Sequence, residues 1–79
     1  MKIGVKVMLK LEVLDIQGRA VAENLERHGR SLSDCRVGKF IELDIPSQDR
    51  NEAMKKAKEM AEYVLHNPLI ENFTLEVIE

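Results

Sequence analysis

The sequence has few of the residues that stabilise very small proteins. In 79 residues it contains one cysteine, Cys35, and two histidines, His28 and His66. A single cysteine excludes an internal disulfide, and these three residues do not have the spacing of a zinc site. A chain of this length buries only about 60% of the surface that its unfolded form exposes, so its own core is marginal. We therefore expect oligomerisation to stabilise it.

Aromatic residues are also scarce, and no region is rich in one sign of charge. Aromatics make up 4% of the chain, and 12 basic and 14 acidic residues are mixed along it for a formal charge of -2. A nucleic-acid-binding protein would carry a basic patch or stacking aromatics, so no nucleic acid is expected as a partner. No apolar run could span a membrane, and the N-terminus lacks a signal-peptide pattern. These features predict a soluble, cytoplasmic domain.

Three segments alternate apolar and polar residues with the period of two that is typical of a half-buried strand. The first is long, from Lys2 to Val13, and has its lysines on the face opposite the apolar residues. This length makes it a candidate for pairing with a second chain. The apolar positions of the other two strands are Ile41, Leu43 and Ile45 in the middle of the chain and Phe73, Leu75 and Val77 near its end.

The middle segment contains a Gly-Lys pair, which could belong to a phosphate-binding loop or to a strand. A Walker loop needs an earlier glycine, a Ser or Thr after the lysine, and then a helix. Here Phe40 follows and a strand comes next. Unbroken alternation would put Lys39 on the apolar face, so we predict a bulge or kink at Gly38 that turns Lys39 away. The pattern leaves open whether this is one bent strand or two short ones.

Two segments have apolar residues at helical spacing. The first runs from Ile16 to His28, with Asp15 as its N-cap and a glycine as its C-cap. The second follows a capping box and runs to about His66, with Val64 in its apolar stripe. It ends there because the residue before a proline avoids helical geometry.

The element order is therefore strand, helix, strand (whole or split), helix, strand. It predicts one α+β domain over residues 1–79: a small two-layer sandwich with an antiparallel or mixed sheet of three long strands and both helices on one face. Cys35 has the parity of a buried packing residue, and His28 and His66 suit helix ends. We expect no catalytic, cofactor-binding or metal-binding residue on the chain.

Three motifs resemble the PurS family, the small subunit of phosphoribosylformylglycinamidine (FGAM) synthase. They are "LDIQG" at 14–18, "CRVGKFIEL" at 35–43 and "LHNPLIENFTLEV" at 65–77. The family has an Asp-Pro-Gln-Gly turn, a Val-Arg-Val-Gly-Lys strand and a Leu-Ala-Asn-Pro helix end in the same order. Ile16 stands where the family usually has proline, and Cys35 where it often has valine.

The resemblance implies a non-catalytic assembly subunit of this ligase, which makes FGAM from formylglycinamide ribonucleotide (FGAR) in de novo purine biosynthesis. The implied partners are a PurL-type synthetase, a PurQ-type glutaminase and further copies of the chain, as a homodimer or higher oligomer. Aid to ammonia transfer is a further implied role. The complex would use ATP, magnesium and glutamine, with no cofactor on this chain. The residues also allow an alternative, a ferredoxin-like regulatory module that binds a ligand between protomers near Gly18 or Gly38.

Eight residues lie beside the apolar strands and have either a polar group or a special backbone geometry. The sequence pattern predicts no pocket around them. We therefore expect these residues to contact partner subunits, while the long first strand pairs copies of the chain. The predicted partner contacts are Asp15, Gly18, Arg36, Gly38, Lys39, Asn67, Pro68 and Glu71.

Overall fold

Three antiparallel strands and two helices make up the fold of this computed structural model, which describes residues 1–79. The predicted α+β class and element order are confirmed. Neither helix has the length and apolar character that crossing a membrane would require. The elements are β1 (Lys2–Leu9), α1 (Ile16–Arg27), β2 (Lys39–Asp44), α2 (Arg50–Met60), a π-helical turn (Ala61–Leu65, the π turn) and β3 (Glu71–Val77).

β1 is the central strand, because the sheet order is β2-β1-β3. It pairs with β2 along Lys2–Val7 and with β3 along Ile3–Leu9. Both edges of β1 are therefore occupied, and the prediction that it pairs with a second chain is wrong. The strand is also shorter than predicted, since the chain turns where the Val13 N–H donates to the Lys10 carbonyl at 3.0 Å.

The helix-facing side of β1 forms the core, as its alternation predicts. Ile3, Val5 and Val7 are at most 1% exposed. Three fully buried alanines spaced four residues apart lie opposite them, and their small side chains let the helix backbone approach the sheet closely. These alanines are Ala53 and Ala57 of α2 and Ala61 of the π turn.

Only α2 packs firmly on the sheet, so the prediction of two helices on one face holds for α2 and not for α1. Gly18 is the one buried residue of α1, and the apolar side chains of Ile16, Val21 and Leu25 are exposed. The helix lies instead beside the segment 32–36 that follows it. The molecule is consequently elongated, with extents of 47 × 27 × 15 Å.

The second helix changes geometry before it ends. It is α-helical to Met60 and then forms the π turn, after which His66 is extended. A π turn places more residues in one turn than an α-helix does, so the side chains that follow are rotated about the axis. Val64 is therefore 78% exposed, and its predicted place in the buried stripe is wrong. The His66 ring lies 2.6 Å, through Nδ1, from the carbonyl oxygen of Ala61.

Candidate functional site

Asp15 joins the start of α1 to the segment that leads into β2. Its Oδ1 accepts a hydrogen bond from the Gly18 N–H at 2.8 Å, and its Oδ2 accepts one from the Val37 N–H at 2.7 Å. These two hydrogen bonds lower the pKa of Asp15 below its ordinary 3.8, because they favour the carboxylate. The bond from Gly18 has the larger effect. The predicted N-cap is confirmed, and the same carboxylate also holds a residue 22 positions further along the chain.

Gly18 and Arg36 belong to the same junction. A Cβ on Gly18 would strike the carbonyl oxygen of Cys35 and would lie 2.6 Å from Asp15 Oδ2, so a larger residue does not fit. The half-buried Arg36 donates through Nη2 to the carbonyl of Leu9 at the end of β1. Three predicted contact residues therefore converge at this point, and their polar groups bind the chain itself.

The junction borders the largest groove of the molecule, with a volume of about 610 Å³ between α1 and the segments 11–15 and 32–36. Cys35 lies in this groove and is half-buried, not buried as predicted. The strand parity on which that prediction depended does not apply, because β2 begins only at Lys39. No histidine lines the groove, and no group of three or more His, Cys, Asp or Glu side chains is placed to hold a metal ion.

The backbone of Gly38 lies close to β1. A Cβ there would meet the sulfur of Met8 and the carbonyl oxygen of Val7, although the backbone of Gly38 is not in the left-handed region. The middle strand is a single strand that starts after this glycine. The segment before it does not join the sheet, and the Val37 N–H binds Asp15 instead.

Lys39 does not leave the apolar face, so that prediction is wrong. It pairs with Val7 across the sheet, and paired residues of antiparallel strands share a face. Lys39 is solvent-exposed because α2 lies over β1 and β3 and leaves this end of β2 uncovered. Here Lys39, Gly38 and Glu71 line a small pocket of about 190 Å³, together with Gln17 of α1.

The remaining predicted contacts form the turn before β3. The Asn67 N–H donates to Glu71 Oε1 at 2.7 Å, and Asn67 Oδ1 accepts from the Leu69 N–H at 3.0 Å. The Asn67 carbonyl also accepts from the Glu71 N–H at 2.8 Å. Pro68 is exposed in this turn. The polar groups satisfy one another, and the turn presents the side chain of Leu69, which is 81% exposed.

Sequence reasoning missed the apolar side chains beside this turn. Tyr63 is 82% exposed, and Val64 and Leu69 are nearly as exposed. The π turn cannot be read from hydrophobic periodicity, which assumes one constant period along the helix. The position of Tyr63 off the apolar stripe could have identified it, because a large aromatic on the solvent side of a helix is unusual outside interfaces.

The chain is similar in sequence, over almost its whole length, to known proteins. Residues 2–79 match the family model described as "PurS: Phosphoribosylformylglycinamidine (FGAM) synthase". The chain is 42% identical over 79 residues to phosphoribosylformylglycinamidine synthase subunit PurS of Bacillus subtilis, covering 99% of this chain and 93% of that protein. It is 43% identical over 74 residues to the same subunit of Mycobacterium leprae, covering 90% of this chain and 87% of that protein.

Two solved structures are similar over almost the whole chain. A structure of Bacillus subtilis PurS has a TM-score of 0.83 at 42% identity, covering 99% of this chain and 98% of that one. A chain in the structure of PurLQS from Thermotoga maritima has a TM-score of 0.88 at 26% identity, covering 95% of this chain and 93% of that one.

Proposed function

The chain belongs to the PurS family, and from this premise we propose that it is the small assembly subunit of a phosphoribosylformylglycinamidine synthase. In this role it carries no catalytic residue and links a PurL-type synthetase, a PurQ-type glutaminase and further copies of itself, as a homodimer or higher oligomer. The complex acts in the cytoplasm and uses ATP, magnesium and glutamine to convert FGAR to FGAM. The observation that carries the proposal is similarity along the whole chain to PurS proteins, one of them in a PurLQS structure.

The surface of the chain supports a role in assembly. Only 9 of 79 residues are buried, and large apolar side chains are exposed on α1, on the π turn and on the turn before β3. Contiguous apolar surface on a small protein generally marks an interface with other molecules. A marginal core and exposed apolar surface together favour a protein that is stabilised by its neighbours.

The predicted contact residues divide into two roles under this proposal. Lys39 and Pro68 are exposed and contact partner subunits directly. Asp15, Gly18 and Arg36 hold the junction between α1 and β1 and so set the direction in which α1 projects. The junction acts on assembly through the position of the helix.

The alternative of a ligand-binding regulatory module would use these glycines to let a ligand approach the backbone. In the direction of an added Cβ, however, Gly18 packs against the Cys35 carbonyl and the Asp15 carboxylate, and Gly38 packs against Met8 and the Val7 carbonyl. Close packing within the chain therefore accounts for both glycines without a ligand. A thermal-shift screen with single metabolites would favour the module only if one of them strongly stabilised the chain without a partner protein.

Reconstitution of the synthase tests the proposal. The synthetase and glutaminase from the same organism are mixed with FGAR, ATP and magnesium, with and without this chain, and FGAM formation is measured. We expect glutamine-dependent synthesis to require the chain. With ammonium chloride in place of glutamine, the synthetase should work whether or not the chain is present. Equal glutamine-dependent rates in both mixtures would rule out the assembly role.

A further inference from the structure

The end of the second helix contains one more residue than an α-helical end would. The chain is α-helical to Met60, and the π turn Ala61–Leu65 follows. Hydrogen bonds in a π turn join residues five apart instead of four, which is equivalent to the insertion of one residue into an α-helix. The same sequence therefore has two ways to end this helix. One is the π form of the structure, and the other is an α form in which the extra residue belongs to the connection before β3.

The two forms place different residues against the sheet. In the π form Leu65 and His66 are half-buried, while Val64 is 78% exposed. Leu65 packs on the buried cluster that contains Ala61. In the α form the residues one position earlier would take these places, Val64 that of Leu65 and Leu65 that of His66. Two aliphatic side chains would then face the sheet, so burial of apolar surface by itself favours the α form.

The side chain of His66 makes two contacts that only the π form allows. Its Nδ1 lies 2.6 Å from the carbonyl oxygen of Ala61, so the ring donates a hydrogen bond through Nδ1–H. The ring also packs edge-on against Phe73 of β3, with the centroids 4.7 Å apart and the planes at 66°. In the α form Leu65 would occupy this place, and His66 would lie in the connection without either contact. These two contacts offset the apolar burial that the π form gives up.

We propose that His66 selects the π form, so that its side chain determines whether Val64 packs inside the chain or faces solvent. The other side-chain hydrogen bonds nearby join Asn67 to Glu71 and Leu69. They lie within the turn after the helix and are compatible with both forms. His66 is therefore the polar side chain that distinguishes the two forms, and it acts in the isolated chain whether or not other subunits are bound.

The cost of removing the Val64 side chain tests which form is present. In the unmodified chain Val64 is exposed, so Val64→Ser should change the melting temperature by less than about 4 °C. In a His66→Ala background the α form buries Val64, and the same substitution should lower the melting temperature by about 6 °C or more. All variants are melted at one protomer concentration at which light scattering gives them the same mass, because association shifts apparent stability. An equal effect of Val64→Ser in the two backgrounds would overturn the proposal.

His66→Phe is the matched control for the hydrogen bond. It keeps an aromatic ring against Phe73 but has no Nδ1–H donor. Val64→Ser in this background should have an effect between those in the other two. An effect equal to that in the unmodified chain would show that the hydrogen bond contributes nothing and would overturn its part in the proposal.

Nuclear magnetic resonance observes the two forms directly, and one of its measurements needs no variant. At a pH where the His66 ring is neutral, the nitrogen chemical shifts should show a protonated Nδ1 and a bare Nε2. A proton on Nε2 instead would exclude the bond to Ala61 and overturn the proposal. In His66→Ala, nuclear Overhauser effects should appear between the methyl groups of Val64 and Val7, which belongs to the cluster that Leu65 packs on, and they should be absent in the unmodified chain. Their absence from both chains would contradict the change from the π form to the α form.

Discussion

Replacement of Gly38 by alanine tests how tightly the chain packs at the start of β2. The added Cβ would meet the carbonyl oxygen of Val7, which is part of the central strand, and the sulfur of Met8. The backbone of Gly38 is not in the left-handed region, so conformational strain contributes nothing and the effect is steric alone. Met8 can rotate away, but the Val7 carbonyl cannot move without disturbing β1.

The size of the effect follows from these contacts. Forcing an extra methyl group into a packed site destabilises a protein by about 1–3 kcal/mol. Replacing glycine also restricts the unfolded chain, which returns about 0.4–1 kcal/mol to the folded state. The middle of these two ranges gives a net loss of about 1.3 kcal/mol. For a domain of this size each kcal/mol shifts the melting temperature by about 4–8 °C, so Gly38→Ala should melt about 5–10 °C lower.

Gly4, in β1, provides the matched control. A Cβ there would meet the ring of Phe40, at 2.5 Å from Cζ, and the tip of Ile78 at 3.2 Å. These are the ends of exposed, flexible side chains, so Gly4→Ala should cost less than about 1 kcal/mol. Both variants are melted at one protomer concentration, because association shifts apparent stability. If Gly38→Ala melts with the unmodified chain while Gly4→Ala is strongly destabilised, the steric reasoning is wrong.

Three further predictions concern stability. Ile3→Ala removes a side chain that is 0% exposed and should lower the unfolding free energy measured in urea by about 2–5 kcal/mol, against about 0.5–1.5 for Ile3→Val. Because the pKa of Asp15 is lowered in the folded chain, its carboxylate stabilises the fold above pH about 4, and this stabilisation is lost as pH falls through the folded-state pKa. Asp15→Asn should therefore make the free energy of unfolding, measured in urea, less dependent on pH in the acid range. Gly29 has φ 78° and no atom near its missing Cβ, so Gly29→Ala should lose about 1–2 kcal/mol from backbone strain alone, and Gly29→Asn less, by thermal melting.

The elements of the fold could be predicted because they depend on local patterns. Alternation placed Ile3, Val5 and Val7 on the buried face, and Asp15 accepts the backbone hydrogen bond expected of an N-cap. The capping box predicted before α2 forms only in part, because Asp49 accepts from the Asn51 N–H while Glu52 pairs with Lys56. Each of these features is determined by residues within a few positions of one another.

The strand order could not be predicted in the same way. The alternating pattern of a long strand is compatible with a place at the edge of a sheet and with a place at its centre. β1 is central because β2 and β3 both pair with it. The side chain of Lys39 is exposed even though it shares a face with Val7, because α2 covers the other two strands. Neither fact follows from periodicity, since both depend on which distant elements meet.

The candidate contact residues were found by type, but their roles came from the structure. Asp15, Gly18 and Arg36 converge at one junction and bind the chain itself. Val64, which a constant helical period places in the buried stripe, is exposed on the π turn.

The sequence by itself determined the element types, the buried face of β1, the helix caps and, through its motifs, the family. These depend on side-chain size, charge and hydrogen-bonding groups at short spacing. Only the tertiary structure decided that β1 lies between two strands, that α1 stands apart from the sheet and that Val64 faces solvent. The reason is that packing between distant segments selects among arrangements that the local pattern permits equally.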